Sequence, residues 1–452
     1  MVTGLWSALK PYPRMKASGV EWLGAVPEHW ELFRLGHLLK ERGESNTDGQ
    51  VSDILSLAKG RGVIPYAEKG NVGNKHSDDI TRYKIVRPND IVVNCMNVII
   101  GSVGISKYTG CLSPVYYVLT RRSSEDNPEY LNAYFQTPTF QKSLVRIGNG
   151  ILAHRMRIPM ELLKCEIFPR PPLAEQNAIV KYLDYSQRRI RKLIQAKRKL
   201  IGLLNEQKQA IIHQAVTCGL DPDVPLKDSG IEWLGQIPAH WEVRRLKTIC
   251  RMKSGENITS MSIDEIGNFP VYGGNGLRGF TSHFTHNGEY ILIGRQGALC
   301  GNVHLVKGEF WASEHAVVVS PKCKYSTEWL ALALMVMNLN QYSIAAAQPG
   351  ISVERILNLW LALPPLQEQL KISNSIANLT FEIDQAIDRA NREIELLNEY
   401  RARLIADVVT GKLDVREIAA ALPETDPLAN EDLNDPLEEE NDLESADETE
   451  ED

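Results

Sequence analysis

The side chains best suited to chemistry in this 452-residue sequence sit in glycine-rich turns. Tyr272, Gly274, Asn275, Gly276 and Arg278 fall in YGGNGLRGF, and Arg295 and Gln296 fall in GRQG. Nearer the N-terminus, Lys59 and Arg61 lie in AKGRG, Lys69, Asn71, Asn74 and Lys75 in EKGNVGNK, and Asn149, His154 and Arg155 in GNGILAHR. Glycine lets a backbone approach another molecule closely. Arginine can bridge guanine O6 and N7, and asparagine or glutamine can pair with adenine N6 and N7, each contact giving about 1–3 kcal/mol of discrimination. These residue types suit the reading of base edges. Two rival chemistries fit less well. Gly274, Gly276 and Gly279 satisfy GxGxxG, but a dinucleotide loop needs a helix directly after it to meet the pyrophosphate. The following FTSHFTHNGEYILIG predicts turn and strand instead. His283, His286, His304 and His315 have neither a cysteine pair nor an i, i+4 helical spacing beside them, so no metal site is expected.

Bond-making motifs are absent from the sequence. It contains no GxxxxGK[ST], HExxH or GxSxG, no Pro-Asp followed by an acidic-x-Lys triplet, and no NPPF or DPPY tetrapeptide. No catalytic residue is therefore assigned, and a stand-alone enzyme would have to hide its site from every usual pattern. The seven cysteines (95, 111, 165, 218, 250, 300 and 323) are widely spaced and never CxxC, which predicts reduced thiols. No stretch reaches the roughly 18 uninterrupted apolar residues of a membrane span, and no leader pattern opens the chain, so a cytoplasmic protein is expected.

Net charge is −7, from 50 Lys and Arg against 57 Asp and Glu, but residues 424–452 hold fifteen of the acids and no base. Without them the balance is 50 to 42, a mildly basic +8. A tail of that composition buries too little apolar surface to offset its ordering entropy and is predicted disordered. It is either a solvating tail or a strip that competes with nucleic acid for a basic groove.

The elements that must position the turns are duplicated. Residues 16–35, KASGVEWLGAVPEHWELFRL, return at 227–246 as KDSGIEWLGQIPAHWEVRRL, an offset of 211. PPLAEQ at 171–176 returns as PPLQEQ at 364–369, and LLNE at 203–206 returns at 396–399, both at an offset of 193. Between these blocks the likeness is weaker, although an offset of 200 aligns residues 89–105 with 289–305 and Ser113 with Ser313. A repeated frame around divergent contents suits two equivalent modules that read different things.

After each PPL, apolar residues recur at alternating spacings of three and four, predicting one long helix over 173–216 and its counterpart. The first seam runs Leu183, Ile190, Ile194, Ile201, Leu204 and Ile211, with Gln187, Lys197, Lys208 and Ala215 at the remaining positions. The second runs Ile383, Ile387, Ile394, Leu397 and Leu404, with Ile376, Thr380, Ala390, Arg401 and Val408. Two apolar stripes of equal length predict an internal antiparallel coiled coil of about 65 Å, comparable to about 20 base pairs. The stretches 37–168 and 248–362 carry short β-rich runs and a late helical piece, an α+β texture. Trp22, Trp30, Trp233 and Trp241 in the duplicated block are expected as core anchors.

With its duplicated SGxEWLGxxPxHW block, duplicated PPLxEQ, LLNE helices and the module motifs FPVYGGNG and SPVYYVL, the sequence resembles the specificity (S) subunits of Type I restriction-modification systems over about residues 15–416. The resemblance implies two target recognition domains, each reading one half of a split double-stranded DNA sequence, held by two long spacer helices. It also implies two modification subunits docked on the helices and restriction subunits joining that core. S-adenosylmethionine, ATP and magnesium would belong to those partners, and this chain would need no cofactor. The expected layout is an N-terminal extension (1–14), recognition domain 1 (15–170), spacer helix 1 (171–225), recognition domain 2 (226–363), spacer helix 2 (364–416) and an acidic tail (417–452). Two other readings stay open: a coiled-coil scaffold that binds no DNA, and an orphan specificity protein without active partners.

Overall fold

The computed structural model describes residues 9–58, 60–69, 76–77, 79–150, 156–297, 299–343 and 350–424. The predicted tail beyond 424 lies outside them. Two helices dominate, α1 (Leu173–Cys218) and α2 (Leu366–Val409). Each starts directly after a Pro-Pro pair, where proline's fixed φ and missing N–H are tolerated. Each stops at a glycine in the left-handed region, Gly219 (φ 80°) and Gly411 (φ 77°). The chain divides into two compact units, Met1–Arg198 with Asn391–Asp452, and Lys199–Ala390, so each long helix contributes one part to each unit.

The strands of the first unit include Leu39–Glu41 (β1), Leu55–Ala58 (β2), Gly62–Pro65 (β3), Ile91–Asn94 (β4), Val103–Ile105 (β5) and Tyr116–Arg121 (β6). An antiparallel sheet takes the order β1, β6, β4, β5, and β2 and β3 form a hairpin beside it. In the second unit Cys250–Ser254 (β7), Phe269–Gly273 (β8), Gly276–Thr281 (β9), His286–Gly294 (β10), Val303–Ala312 (β11) and Ala316–Pro321 (β12) make one six-stranded sheet, ordered β7, β12, β10, β11, β8, β9.

The weak alignment at an offset of 200 is a structural identity. Ile91 pairs with Ile105 and Tyr116 with Asn94 in the first unit. Ile291 pairs with Leu305 and Ala316 with Gly294 in the second, each residue 200 positions on. Gly101 and Gly301 take the same left-handed turn, at φ 89° and 92°. A strand's register decides which face every side chain meets, so equal registers keep two modules superposable while their surface residues change freely.

The duplicated blocks hold each module to its helix. In the first unit the buried Glu175 carboxylate accepts from the Trp30 indole N–H (2.9 Å), lies 2.8 Å from His29 Nε2, and also accepts from the Tyr12 hydroxyl. In the second, Glu368 accepts from Trp241 (3.0 Å) and lies 2.7 Å from His240. The next residue fastens the late helix. Gln176 Oε1 accepts from the backbone N–H of Asn127 (2.7 Å), the N-cap of helix Pro128–Phe135. Gln369 does the same for Ser326 (2.9 Å), the N-cap of Thr327–Val336. Both glutamines also donate back to the first proline of their own motif, Pro171 or Pro364, at 2.8 Å. PPLxEQ is therefore a two-armed clasp: glutamate takes the HW pair and glutamine takes the capped helix. Trp30 and Trp241 are fully buried, and Trp22 and Trp233 pack partly buried against the same cores.

The two helices pack together within each unit. In the first, Leu183, Ile190, Ile194 and Leu404 are buried and Ile394 and Leu397 half-buried, and Lys197 reaches Glu393 in an ion pair. In the second, Ile383 and Ala390 are buried, Ile201, Leu204, Ile211 and Ile387 half-buried, and Lys208 pairs with Asp384 at 2.5 Å. All seven cysteines are free thiols, and four of them, Cys95, Cys111, Cys250 and Cys300, are buried.

Candidate functional site

The YGGNG residues form the tip of the β8–β9 hairpin, with Gly274 and Asn275 between the strands and a register shift at Val271 and Tyr272. No helix follows, which removes the dinucleotide alternative. The tip lies against the turn after β10. A Cβ on Gly294 would stand 2.0 Å from the Gly274 carbonyl oxygen, and one on Gly274 would stand 2.9 Å from that of Gln296. Only glycines allow this backbone contact. It brings Gly274, Asn275, Arg278, Gln296 and His315 around an open pocket of about 440 Å³. Asn302 donates to Asn275 Oδ1 (3.3 Å), Gln296 Oε1 lies 2.9 Å from His315 Nδ1, and Arg295 donates to Ser254 Oγ (3.1 Å). Asn275, Arg278, Arg295 and Gln296 are exposed, and Arg278 forms no ion pair among the described residues. Tyr272 is half-buried, its ring edge-on to Phe310 at 5.8 Å, so it supports the hairpin from below.

His304 packs under the hairpin, its ring 3.4 Å from where a Gly276 Cβ would stand. Burial pushes its pKa down, which keeps the ring neutral. The same cause lowers that of His286, which stacks on Phe310. Among the described residues no group of three or more potential metal ligands occurs.

The first unit has an equivalent hairpin that its sequence conceals. Ile54, just before β2, bridges Cys111 in parallel, as Val271 in β8 bridges Trp311. Gly62 and Gly276 each open the returning strand with positive φ (81° and 98°), and each faces a residue 200 positions from the other's, Gly104 and His304. The AKGRG and YGGNG turns are thus the same tip in two modules. Arg61 lies on it and pairs with Glu68 at 3.5 Å, and the Lys69 ammonium sits 5.6 Å over the Tyr66 ring. Asn149 is exposed and exchanges backbone hydrogen bonds with Arg157 at 2.9 and 3.0 Å. Lys59, Asn71, Asn74, Lys75, His154 and Arg155 lie outside the described residues. The first hairpin also leans on a glycine contact, since a Cβ on Gly104 would stand 2.4 Å from the Gly62 Cα. Gly104→Ala should lift it at a cost of about 1–3 kcal/mol, seen as faster amide exchange in 55–65 with residues 116–121 unchanged.

Sequence reasoning passed over His29, Glu175, His240 and Glu368. The signal was available, because the HW pair and the PPLxEQ glutamate are each identical in both copies. It weighed His315 only as a metal ligand, not as a neighbour of Gln296 on the pocket of the second unit.

Known proteins agree with this architecture. The family described as Type I restriction modification DNA specificity domain matches residues 238–396. The Type I restriction enzyme EcoprrI specificity subunit of Escherichia coli is 43% identical over 134 residues, 29% of this chain and 33% of that one. This match spans only about a third of the relative's length. The MjaVIII specificity subunit of Methanocaldococcus jannaschii is 23% identical over 428 residues, covering 87% of this chain and 95% of its own. A chain solved for the structural basis underlying complex assembly and conformational transition of the type I R-M system superposes with a TM-score of 0.62 at 14% identity, covering 85% of this chain and 98% of that one. That likeness fixes the fold: two α/β modules with two long helices packed together. Residues 238–396 carry the Type I restriction modification DNA specificity domain, and over most of its length the chain is similar to specificity subunits of Type I restriction-modification systems. No helix among the described residues is long and apolar enough to cross a membrane.

Proposed function

We propose that this chain reads the two halves of a split double-stranded DNA sequence, one half with each module, and works in the cytoplasm. The observation that carries this reading is the pair of equivalent hairpins: one strand register supports both, while their tips differ in length and residue type. In the second module Asn275, Arg278, Arg295 and Gln296 contact base edges. In the first, Lys59 and Arg61 on the hairpin, with Lys69, Asn71, Asn74, Lys75, Asn149, His154 and Arg155, make the corresponding surface. The domain layout follows, with modules at 15–170 and 226–363 and helices at 171–225 and 364–416. Two modification subunits dock along the helices and restriction subunits join them, supported by exposed apolar side chains such as Leu200, Leu203, Leu379, Phe381 and Leu396 on the helix surfaces. S-adenosylmethionine, ATP and magnesium are held by those partners.

Helix length sets the spacer between the half-sequences. A heptad added to α1 with its match in α2 preserves both apolar seams and adds about 10 Å, or roughly three base pairs. Methylome sequencing should then show both half-sequences unchanged and the gap about three base pairs longer. An unchanged gap would sink the helix-as-ruler reading.

A further inference from the structure

We propose that the acidic segment 425–452 docks into a basic groove of the first unit and covers the tip of the β2–β3 hairpin. The groove has a volume of about 640 Å³ and lies between that tip, the loop after β5, helix Pro128–Phe135 and one face of α1. Five cations line it: Arg61, Lys107, Lys181, Arg188 and Arg191. Three acids line it too, and two of these are engaged, Glu68 with Arg61 at 3.5 Å and Asp184 with Arg188 at 3.0 Å; the third is Glu129. The wall therefore carries a positive excess of two. The segment 425–452 holds fourteen Asp and Glu and no Lys or Arg.

Where the described chain ends is what selects this segment as the occupant. The Lys181 ammonium donates to the backbone carbonyl of Leu422 (2.9 Å), so the chain is delivered to a residue that itself lines the groove. From Lys181 to Arg191 along α1 is about 15 Å at 1.5 Å per residue. Twenty-eight residues can extend to at most about 90 Å, so reach is no obstacle. Tethering at that distance gives an effective concentration in the millimolar range, enough for a weak electrostatic contact to be populated.

Docking is an intramolecular event in which carboxylates take the positions phosphates would take, and Arg61 belongs both to the groove and to the hairpin tip. The competitive consequence rests on the proposed reading of that hairpin as a DNA-facing element; the docking itself does not. Zero-length carbodiimide cross-linking of the full chain without DNA tests the docking, because it joins only ammonium and carboxylate groups in contact. Mass spectrometry should find Lys107 and Lys181 joined to acids of 425–452, with the yield lost in Arg61→Glu/Arg191→Glu. Cross-links absent from both lysines, or unaffected by that charge reversal, would overturn the proposal. DNA binding tests the competition. A chain ending at Leu422 should bind non-target duplex about tenfold more tightly at low salt, and the gain should vanish when Lys107→Glu and Arg191→Glu are also present. An equal gain with the groove reversed means the tail repels DNA from elsewhere, and overturns docking as the mechanism. Cross-links intact with no gain at all would leave docking supported and overturn the hairpin as a DNA-facing element.

Discussion

Trp30→Ala should loosen the first module by about 3–5 kcal/mol, the usual cost of deleting a buried indole. A further penalty of about 1–3 kcal/mol follows from a carboxylate that loses a buried donor. Trp30 is wholly buried and Glu175, its acceptor, is 5% exposed, so water cannot replace the lost N–H. Glu368 is the same residue of the same clasp, but its side chain is 27% exposed. The two copies should therefore respond differently to a substitution that removes only the donor. Trp30→Phe keeps most of the ring and should cost about 1–3 kcal/mol, whereas Trp241→Phe should cost less, because solvent can reach its acceptor. Amide exchange resolves each module separately: helix Pro128–Phe135 should open more readily in Trp30→Phe, and Thr327–Val336 should change less in Trp241→Phe. Equal effects in the two copies would contradict the role given to burial of the glutamate.

That asymmetry was invisible in the sequence, although the clasp itself was half legible. Two identical blocks with constant offsets mark residues that matter together, and the helix starts at Pro-Pro and the apolar seams are local signals that a one-dimensional reading can use. Their partners are not local. Glu175 meets Trp30 from 145 residues away, and nothing in either block names the other. Exposure depends on what else packs nearby: in the first copy Tyr12, from a segment before the repeat, also closes over the glutamate. Tertiary packing thus made one of two identical motifs drier than the other.

The hairpins show a second limit. YGGNG stood out because its glycines and polar residues are clustered, and AKGRG stood out for the same reason, but nothing in their order announced a common tip. The parallel bridges place Ile54 opposite Val271, an offset of 217, and the turn glycines place Gly62 opposite Gly276, an offset of 214. The segment from bridge to glycine is three residues longer in the first module, and few side chains are shared. Equivalence lives in backbone partners 57 and 42 residues away along the chain, at Cys111 and Gly104. The strand frame tolerates such changes because its register is held by β4, β5 and β6 and their counterparts, so the tip can vary without unfolding the module.

Freedom at the tip is what makes the pair Asn275→Ala and Arg278→Ala the sharpest test of base reading. Each bidentate contact contributes about 1–3 kcal/mol of discrimination, so the double variant should lose about 2–6 kcal/mol for its own half-sequence, roughly 30-fold to about 10⁴-fold. Stability should hardly change, since both side chains are exposed and Arg278 crosses a glycine, Gly273, without filling a core. The pattern across sequences matters more than the size. If these side chains read bases, duplexes altered in the second module's half-site should become nearly equivalent for the variant, while changes in the other half are discriminated as before. If they grip phosphates, every duplex should weaken alike and the salt dependence should become shallower by about one unit for the lost arginine. Binding measured against duplexes permuted in each half, at two salt concentrations, separates the two outcomes. Uniform weakening would move the reading surface away from the tip and toward the Arg295–Gln296 turn that packs against it.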